Sequence, residues 1–310
     1  MKRVIVTGGA GFIGAHLVDG LIELGIEVHV LDNLSTGRSE RVNPRAILHI
    51  SDIRSAEAKE IITHVKPDAL FHLAAQADVQ HSVADPNYDM DVNVHGTVNI
   101  LQASREADVK KFIFASTSGV YGNLEKEVLT EQDPVQPISF YGLSKITAEQ
   151  YIALYERFYG LSYTILRFAN VYGPGQTVKG EGGVIAIFMK QLADNLSLPI
   201  NGDGEQTRDF VYVKDVVQAL IAAMTQGTGN ILHVSTETKT SINNLVKSLR
   251  TLHIKHKSTD LQVFHRPTKA GDIKHSCLSN AKTRNKLNWQ PQYPIELGLE
   301  ETYLQWGEFS

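Results

Sequence analysis

The chain has 310 residues, 42% apolar and 21% charged, with a formal net charge of −4. That composition fits a globular chain long enough for one large core or two domains, and without a basic block it gives no electrostatic case for nucleic acid or an anionic membrane surface. Its single cysteine, Cys277, excludes an internal disulfide framework and a cysteine-cluster zinc site and suits a reducing compartment.

In chain order, the apolar run at 4–6 ends at Thr7-Gly8-Gly9, too early for a signal peptide, and no later run reaches membrane-spanning length. A cytoplasmic protein is expected. The runs at 4–6, 28–31, 47–50, 69–73 and 112–115 are short, rich in β-branched residues and bounded by polar ones, as strands buried on both faces should be. Amphipathic stretches at 12–24, 56–65, about 89–107 and 141–158 read as helices between and after them. This alternation predicts an α/β fold of Rossmann type: a doubly wound parallel sheet covered by helices, with right-handed crossovers. From about Asn170 glycine and proline become frequent, which suggests a smaller mixed α/β lobe over the crevice. The expected division is 1–169 for the large domain and 170–310 for the lobe, with the chain crossing back to the sheet around 163–167.

Gly8, Gly11 and Gly14 follow the first strand and open the first helix, with Phe12 and Ile13 between the last two. Such spacing allows a tight turn, close approach of backbone to a pyrophosphate, and close packing of helix on strand. Asp32 ends the second strand eighteen positions past Gly14, followed by Asn33. A carboxylate there accepts from ribose hydroxyls and repels a 2′-phosphate, favouring NAD, while Arg38 keeps a 2′-phosphate reading open. Asp52-Ile53 follows the third strand and would meet the adenine. Leu73-Ala74-Ala75-Gln76 follows the fourth, where small residues let backbone lie close to a cofactor or simply ease helix packing. After the fifth strand, Ser116-Thr117-Ser118-Gly119 forms a hydroxyl-rich turn toward the same crevice.

Tyr141 and Lys145 stand four apart at the start of a predicted helix, so both face one side, their Cβ atoms roughly 6 Å apart. An ammonium beside a phenol favours the phenolate. His72 lies within an apolar strand and reads as a satisfied core histidine; His253, His256 and His265 read as a solvated face. No histidine pair shows the i,i+4 spacing with glutamate of a catalytic zinc helix, and no metal is expected.

Taken together, Gly8 to Gly14, Ser116 to Ser118, Tyr141 with Lys145, the run Asp-Val-Asn-Val-His-Gly-Thr at 91–97, Leu166 to Pro174, Thr207 to Val213 and Gly271-Asp272 resemble the extended short-chain dehydrogenases/reductases. The resemblance covers nearly the whole chain and is nearest to the NAD-dependent epimerase/dehydratase branch, the UDP-sugar 4-epimerases in particular. It implies interconversion of UDP-glucose and UDP-galactose through a 4-keto sugar with retained NAD. Tyr141 would be the base at the sugar 4-hydroxyl, Lys145 would favour its anion and bind the nicotinamide ribose, Thr117 would hydrogen-bond the same oxygen, and Asn93 would hold the cofactor side. Asn170 and Arg208 would contact the diphosphate, Val184, Ile200 and Asn201 would line the uridine, and Asp272 would meet its ribose. Lys269 stands where the family places arginine. Ser276 occupies the position that limits the sugar pocket, and its small size leaves room for a 2-acetamido group.

Related 4,6-dehydratases carry an Asp-Glu pair directly after the hydroxyl residue, and the decarboxylases a glutamate at the second of those positions; here they are Ser118 and Gly119. Dehydratase, decarboxylase and catalytically silent NAD-binding readings stay as alternatives. The resemblance also implies a homodimer through helices about 89–107 and 141–158, where Tyr151, Tyr155 and Phe158 add aromatic surface beyond one core-facing stripe.

Overall fold

The computed structural model describes residues 1–178, 183–268 and 274–309. Seven parallel strands form the central sheet in the order β3-β2-β1-β4-β5-β6-β11. They are β1 (Arg3–Thr7), β2 (Glu27–Asp32), β3 (Ile47–Ile50), β4 (Ala69–His72), β5 (Lys111–Thr117), β6 (Tyr163–Phe168) and β11 (Asn230–Val234). Among the described residues there are also three two-stranded pieces: β7 (Asn170–Tyr172) with β10 (Phe210–Tyr212), β8 (Leu198–Asn201) with β13 (Val263–Arg266), and β9 (Thr207–Arg208) with β12 (Thr240–Ser241).

Period-two alternation decides which helices each strand faces. On β1, Val4 and Val6 point into a core shared with Leu17 and Leu21 of α1 (Phe12–Glu23) and Val216 and Leu220 of α8 (Val213–Ala223). Ile5 points the other way, among Ile62 of α2 (Ala56–Val65), Ile100 of α5 (Gly96–Glu106) and Ile152 of α6 (Phe140–Tyr159). Each fully buried Leu, Ile or Phe in these layers contributes about 1.5–3 kcal/mol. The smaller lobe has its own core, in which α7 (Val184–Ala193), α9 (Ile242–Lys257) and α11 (Ile295–Phe309) gather around β8. Short helices α3 (Val79–Ala84), α4 (Pro86–Met90) and α10 (Ala281–Leu287) are the remaining α-helices among the described residues.

Three expectations need correction. The strand at 47–50 is not buried on both faces: β3 is an edge strand paired only with β2, and Ile47 and Ile50 are 47% and 63% exposed. The helix expected from 89 begins at Pro86 and contains a π-helical turn, Asp91–His95, before α5. His253 is no part of a solvated face: it is 1% exposed, and its Nδ1 lies 2.9 Å from the Tyr303 hydroxyl across the lobe core.

Strand order reverses around β1, with β2 to one side and β4 to the other. Open α/β sheets place their ligands at the carboxyl ends of strands beside such a switch. Here those ends are the Gly8 turn, Leu73 to Gln76, and Thr117.

Candidate active site

The glycine turn is held close by backbone contact. Gly8 adopts a left-handed φ of +70°, and a Cβ on it would sit 2.7 Å from the Ala74 nitrogen; one on Gly14 would sit 2.1 Å from the Gly8 carbonyl oxygen. Gly11 caps α1 without a side-chain hydrogen bond to the first-turn N–H groups. Those amides, at the positive end of the helix, are the natural seat of a pyrophosphate. Phe12 is buried in the core it shares with Tyr172 and Val213, and Ile13 packs between the two cores, so both serve the crevice through backbone. Asp32, 8% exposed, accepts from Ala10 N at 3.0 Å and Leu34 N at 2.8 Å. Burial raises its carboxyl above the ordinary value, and the two N–H bonds oppose the rise. A dinucleotide fits this cradle: side-chain-free backbone for the phosphates and a fixed carboxylate at the end of β2 for a ribose.

Asn33 donates to Asp52 at 2.8 Å, and Asp52 takes a two-point contact from Arg54, whose other nitrogen reaches Asp91 at 2.6 Å. The Arg54 hydrogen bonds hold the Asp52 carboxyl well below its usual range. Ile53 is buried against Gly96, where a Cβ would approach it to 2.6 Å.

Behind the crevice, hydrogen bonds lock the strand ends. The Thr97 hydroxyl donates to the Asn93 carbonyl at 2.6 Å, so it accepts from His72 Nε2 at 2.9 Å. His72 Nδ1 then accepts from Thr7 at 2.8 Å, and Thr7 Oγ1 receives the Ala74 N–H at 3.2 Å. His72 is therefore the satisfied core histidine expected. The Asn93 amide donates to the Gln76 carbonyl at 2.9 Å and to Ser144 Oγ at 3.1 Å, and its oxygen accepts the Gln76 N–H at 2.9 Å. Gln76 donates its own amide to Asp89 and the Asp78 carbonyl. Asn93 and Gln76 thus fasten the backbone of 73–76, where Leu73, Ala74 and Ala75 stay half-buried at the crevice wall.

Thr117 ends β5, and its Oγ1 accepts the Gly119 N–H at 3.0 Å. Ser139 caps α6 by accepting from Gly142 N at 3.1 Å, placing Tyr141 and Lys145 on its first turns. A Cβ on Gly142 would lie 2.7 Å from the Gly119 carbonyl oxygen, so glycine lets the start of α6 rest against the Thr117 turn. Lys145 is 3% exposed. Its Nζ donates to the Ala115 carbonyl at 3.0 Å, 4.7 Å from the centre of the Phe114 ring and 6.0 Å from that of Tyr141. The predicted trio of Thr117, Tyr141 and Lys145 is brought to one corner. Ser116 points away, donating to Glu149 at 2.5 Å, which leaves Thr117 as the strand-end hydroxyl toward the crevice.

In the smaller lobe, Asn170 donates to the Asp209 carbonyl at 3.2 Å, and Arg208 Nη1 to the Thr207 carbonyl at 2.9 Å. The fully buried Asp209 carboxylate accepts from Thr236 and Glu237 N–H groups and the Thr236 hydroxyl. Val184 is half-buried in the first turn of α7. Ile200 is 2% exposed in the lobe core and pairs with His265 in the β8–β13 ladder, while Asn201 is exposed. Ser276 is half-buried and donates its N–H to the Thr207 carbonyl at 3.2 Å. Lys269 and Asp272 lie outside the described residues.

Sequence reasoning gave no role to the side chains that brace this corner: Ser144, Glu149, Arg167, Tyr121 and His233. Glu149 alone carried a local signal, one helical turn beyond Lys145 on the same face.

Residues 4–235 match the model of the NAD dependent epimerase/dehydratase family. The UDP-glucose 4-epimerase of Mycolicibacterium smegmatis is 39% identical over 307 residues, 97% of each chain. A crystal structure of UDP-glucose 4-epimerase from Thermotoga maritima with UDP-glucose is similar at a TM-score of 0.93 and 41% identity over 98% of each chain. The Thermus thermophilus UDP-glucose 4-epimerase in complex with NAD follows at 0.90 and 36%, again over 98% of each chain.

Proposed function

The chain belongs to the NAD dependent epimerase/dehydratase family, and on that premise we propose that it is a UDP-sugar 4-epimerase interconverting UDP-glucose and UDP-galactose. The observation that carries this choice is the turn against which α6 begins. Beyond Thr117 it presents Ser118 and Gly119, with the Gly119 carbonyl pressed to Gly142. Relatives that remove water or carbon dioxide have carboxylates at those positions; a hydroxyl and a hydrogen can perform neither step, so oxidation at C4 is followed by return of the hydride.

Bound in the glycine cradle, NAD supplies a hydride acceptor that becomes the donor again within the same turnover. Tyr141 takes the proton of the sugar 4-hydroxyl and gives it back, acting as base and then as acid. The buried Lys145 ammonium, 6.0 Å from the centre of the Tyr141 ring, favours the phenolate. Thr117 donates to the same sugar oxygen and holds it in line with Tyr141. Asn170 and Arg208 meet the diphosphate, for which a guanidinium fork is suited, while the 4-keto sugar turns about that linkage to present its other face. Ser276, a small residue on the segment hydrogen-bonded to Thr207, leaves space for a 2-acetamido group, so UDP-N-acetylhexosamines are read as substrates too.

The functional unit is read as a cytoplasmic homodimer. Leu143, Tyr151, Leu154 and Phe158 follow helical spacing along α6 and are 50%, 41%, 45% and 69% exposed, beside Met90 at 57%. A second copy covers such a stripe by two-fold symmetry without a new complementary surface. Incubation with UDP-galactose and no added reductant, scored for UDP-glucose, tests the reading; a dehydrated product, or release of carbon dioxide when UDP-glucuronate is offered instead, would replace it.

A further inference from the structure

A chain of buried polar groups crosses the molecule behind the catalytic corner and is not used in the chemistry above. Arg167 and Glu149, both 3% exposed, form a two-point ion pair, Nε to Oε1 at 3.0 Å and Nη2 to Oε2 at 2.6 Å. Glu149 Oε1 also accepts the Ser116 hydroxyl. The remaining guanidinium nitrogen, Nη1, donates to the Tyr121 hydroxyl oxygen at 2.7 Å. The Ser279 carbonyl can only accept, so neutral His233 leaves Nε2 bare to accept the Tyr121 hydrogen, 2.6 Å away. The proton on His233 is then on Nδ1, which donates to the Ser279 carbonyl at 3.0 Å. Every group between Glu149 and Ser279 has one orientation consistent with its neighbours.

The members of this chain are spaced along the sequence so that each touches a segment bearing a proposed site residue. Ser116 precedes Thr117. Glu149 stands one turn beyond Lys145 on α6. Arg167 lies on β6, three residues before Asn170, and Ser279 lies three residues after Ser276. The backbone of His233 is fixed twice more: its N–H donates to Glu131 at 3.0 Å and its carbonyl accepts from Thr283 at 2.5 Å.

We propose that Tyr121 and His233 are positioning residues, the joint of a relay that holds the Thr117, Tyr141 and Lys145 corner in register with the Ser276 wall of the sugar pocket. The inference rests on the 4-epimerase reading for its substrate and goes beyond it in assigning the register between lobe and catalytic corner to one hydrogen-bonded track. Small displacements matter here, because misplacement of a reacting group by about 1 Å can cost on the order of a hundredfold in rate. A neutral His233 suits the role: burial holds its imidazole down to about 4, so the orientation of the chain does not change across the neutral range. Burial likewise pushes the Tyr121 phenol up to about 12, which keeps its hydrogen in place.

The test uses Tyr121→Phe, which deletes one hydroxyl from the middle of the chain and keeps the ring packing. Turnover of UDP-galactose, calorimetric binding of UDP and retained NAD are measured beside the parent. The relay predicts that kcat falls by about tenfold or more while UDP affinity and NAD content stay within about threefold. A kcat within about twofold of the parent, with only the urea midpoint lowered, would show an ordinary stabilising contact and overturn the proposal. Should Tyr121→Phe not fold, His233→Leu and His233→Asn decide. The asparagine amide restores one acceptor and one donor, so it is expected to be the more active of the two; equal activity overturns the relay. If the parent itself does not convert UDP-galactose, the 4-epimerase reading fails, and the relay is judged by amide exchange in Tyr121→Phe. Faster exchange in both 117–121 and 277–280 supports it, and a change confined to 117–121 overturns it.

Discussion

Lys145 Nζ lies 6.0 Å from the centre of the Tyr141 ring, and the same nitrogen is fixed by the Ala115 carbonyl at 3.0 Å. Strand β5 therefore sets where the cation stands, and the first turn of α6 sets where the phenol stands. Both side chains leave α6, so the helix fixes their Cβ spacing, and the approach of helix to strand decides where the tied ammonium stands relative to the phenol.

That approach is controlled by Gly142. In Gly142→Ala the new Cβ would meet the Gly119 carbonyl oxygen at 2.7 Å, so the helix start must move away from Thr117. The expected result is a kcat lower by roughly ten- to a hundredfold with NAD still bound, because the glycine cradle of α1 is untouched. Steady-state turnover and the absorbance of protein-bound cofactor measure the two arms.

Ser276→Tyr should separate the substrates. A bulky ring in place of a hydroxymethyl group closes the space for an acetamido substituent, so conversion of UDP-N-acetylglucosamine is lost while that of UDP-glucose stays within about threefold. Equal retention of both activities would place the gate elsewhere.

Leu154→Glu and Phe158→Glu put charge on the exposed stripe of α6. Light scattering at micromolar concentration is expected to give twice the 34.3 kDa chain mass for the parent and the single mass for the double variant. A parent of one chain mass would remove the dimer from the account.

Acid should destabilise the fold through two histidines. Burial, helped by the Lys145 charge, holds His72 down to about 3, and burial holds His233 to about 4. A histidine in the unfolded chain titrates near 6.5. Below that pH the unfolded state takes up protons that the folded state refuses, so the stability these groups contribute is fully present above about 6.5 and is lost as pH falls toward 4. At pH 5 the loss is up to about 2 kcal/mol for each. Urea midpoints at pH 7 and pH 5 should differ in the parent and differ less in His72→Asn; a flat parental profile contradicts the assignment.

What could be read from the sequence was what is encoded locally. The glycine turn, the acid ending β2, and the Tyr141–Lys145 spacing each lie within one strand or one helical turn, and their positions follow from backbone geometry. Side-chain direction in the lobe was harder. Ile200 alternates into a core built from α7 and α9, and His253 faces Tyr303 from another helix, neither of which has a nearby sequence marker. The π turn at 91–95 hides within a helical pattern, since what accompanies it is the fastening of Asn93 to Gln76 and Ser144. Long-range pairs are the least visible: Tyr121 and His233 are 112 positions apart, and only the parallel return of β11 beside β6 brings them together.

The most direct measurement compares the parent with Tyr141→Phe on UDP-galactose without added reductant. The account predicts that the parent forms UDP-glucose and that the variant, still holding NAD, is slower by about a hundredfold or more. Undiminished interconversion by Tyr141→Phe, or a parent that releases a dehydrated sugar in place of UDP-glucose, would contradict it.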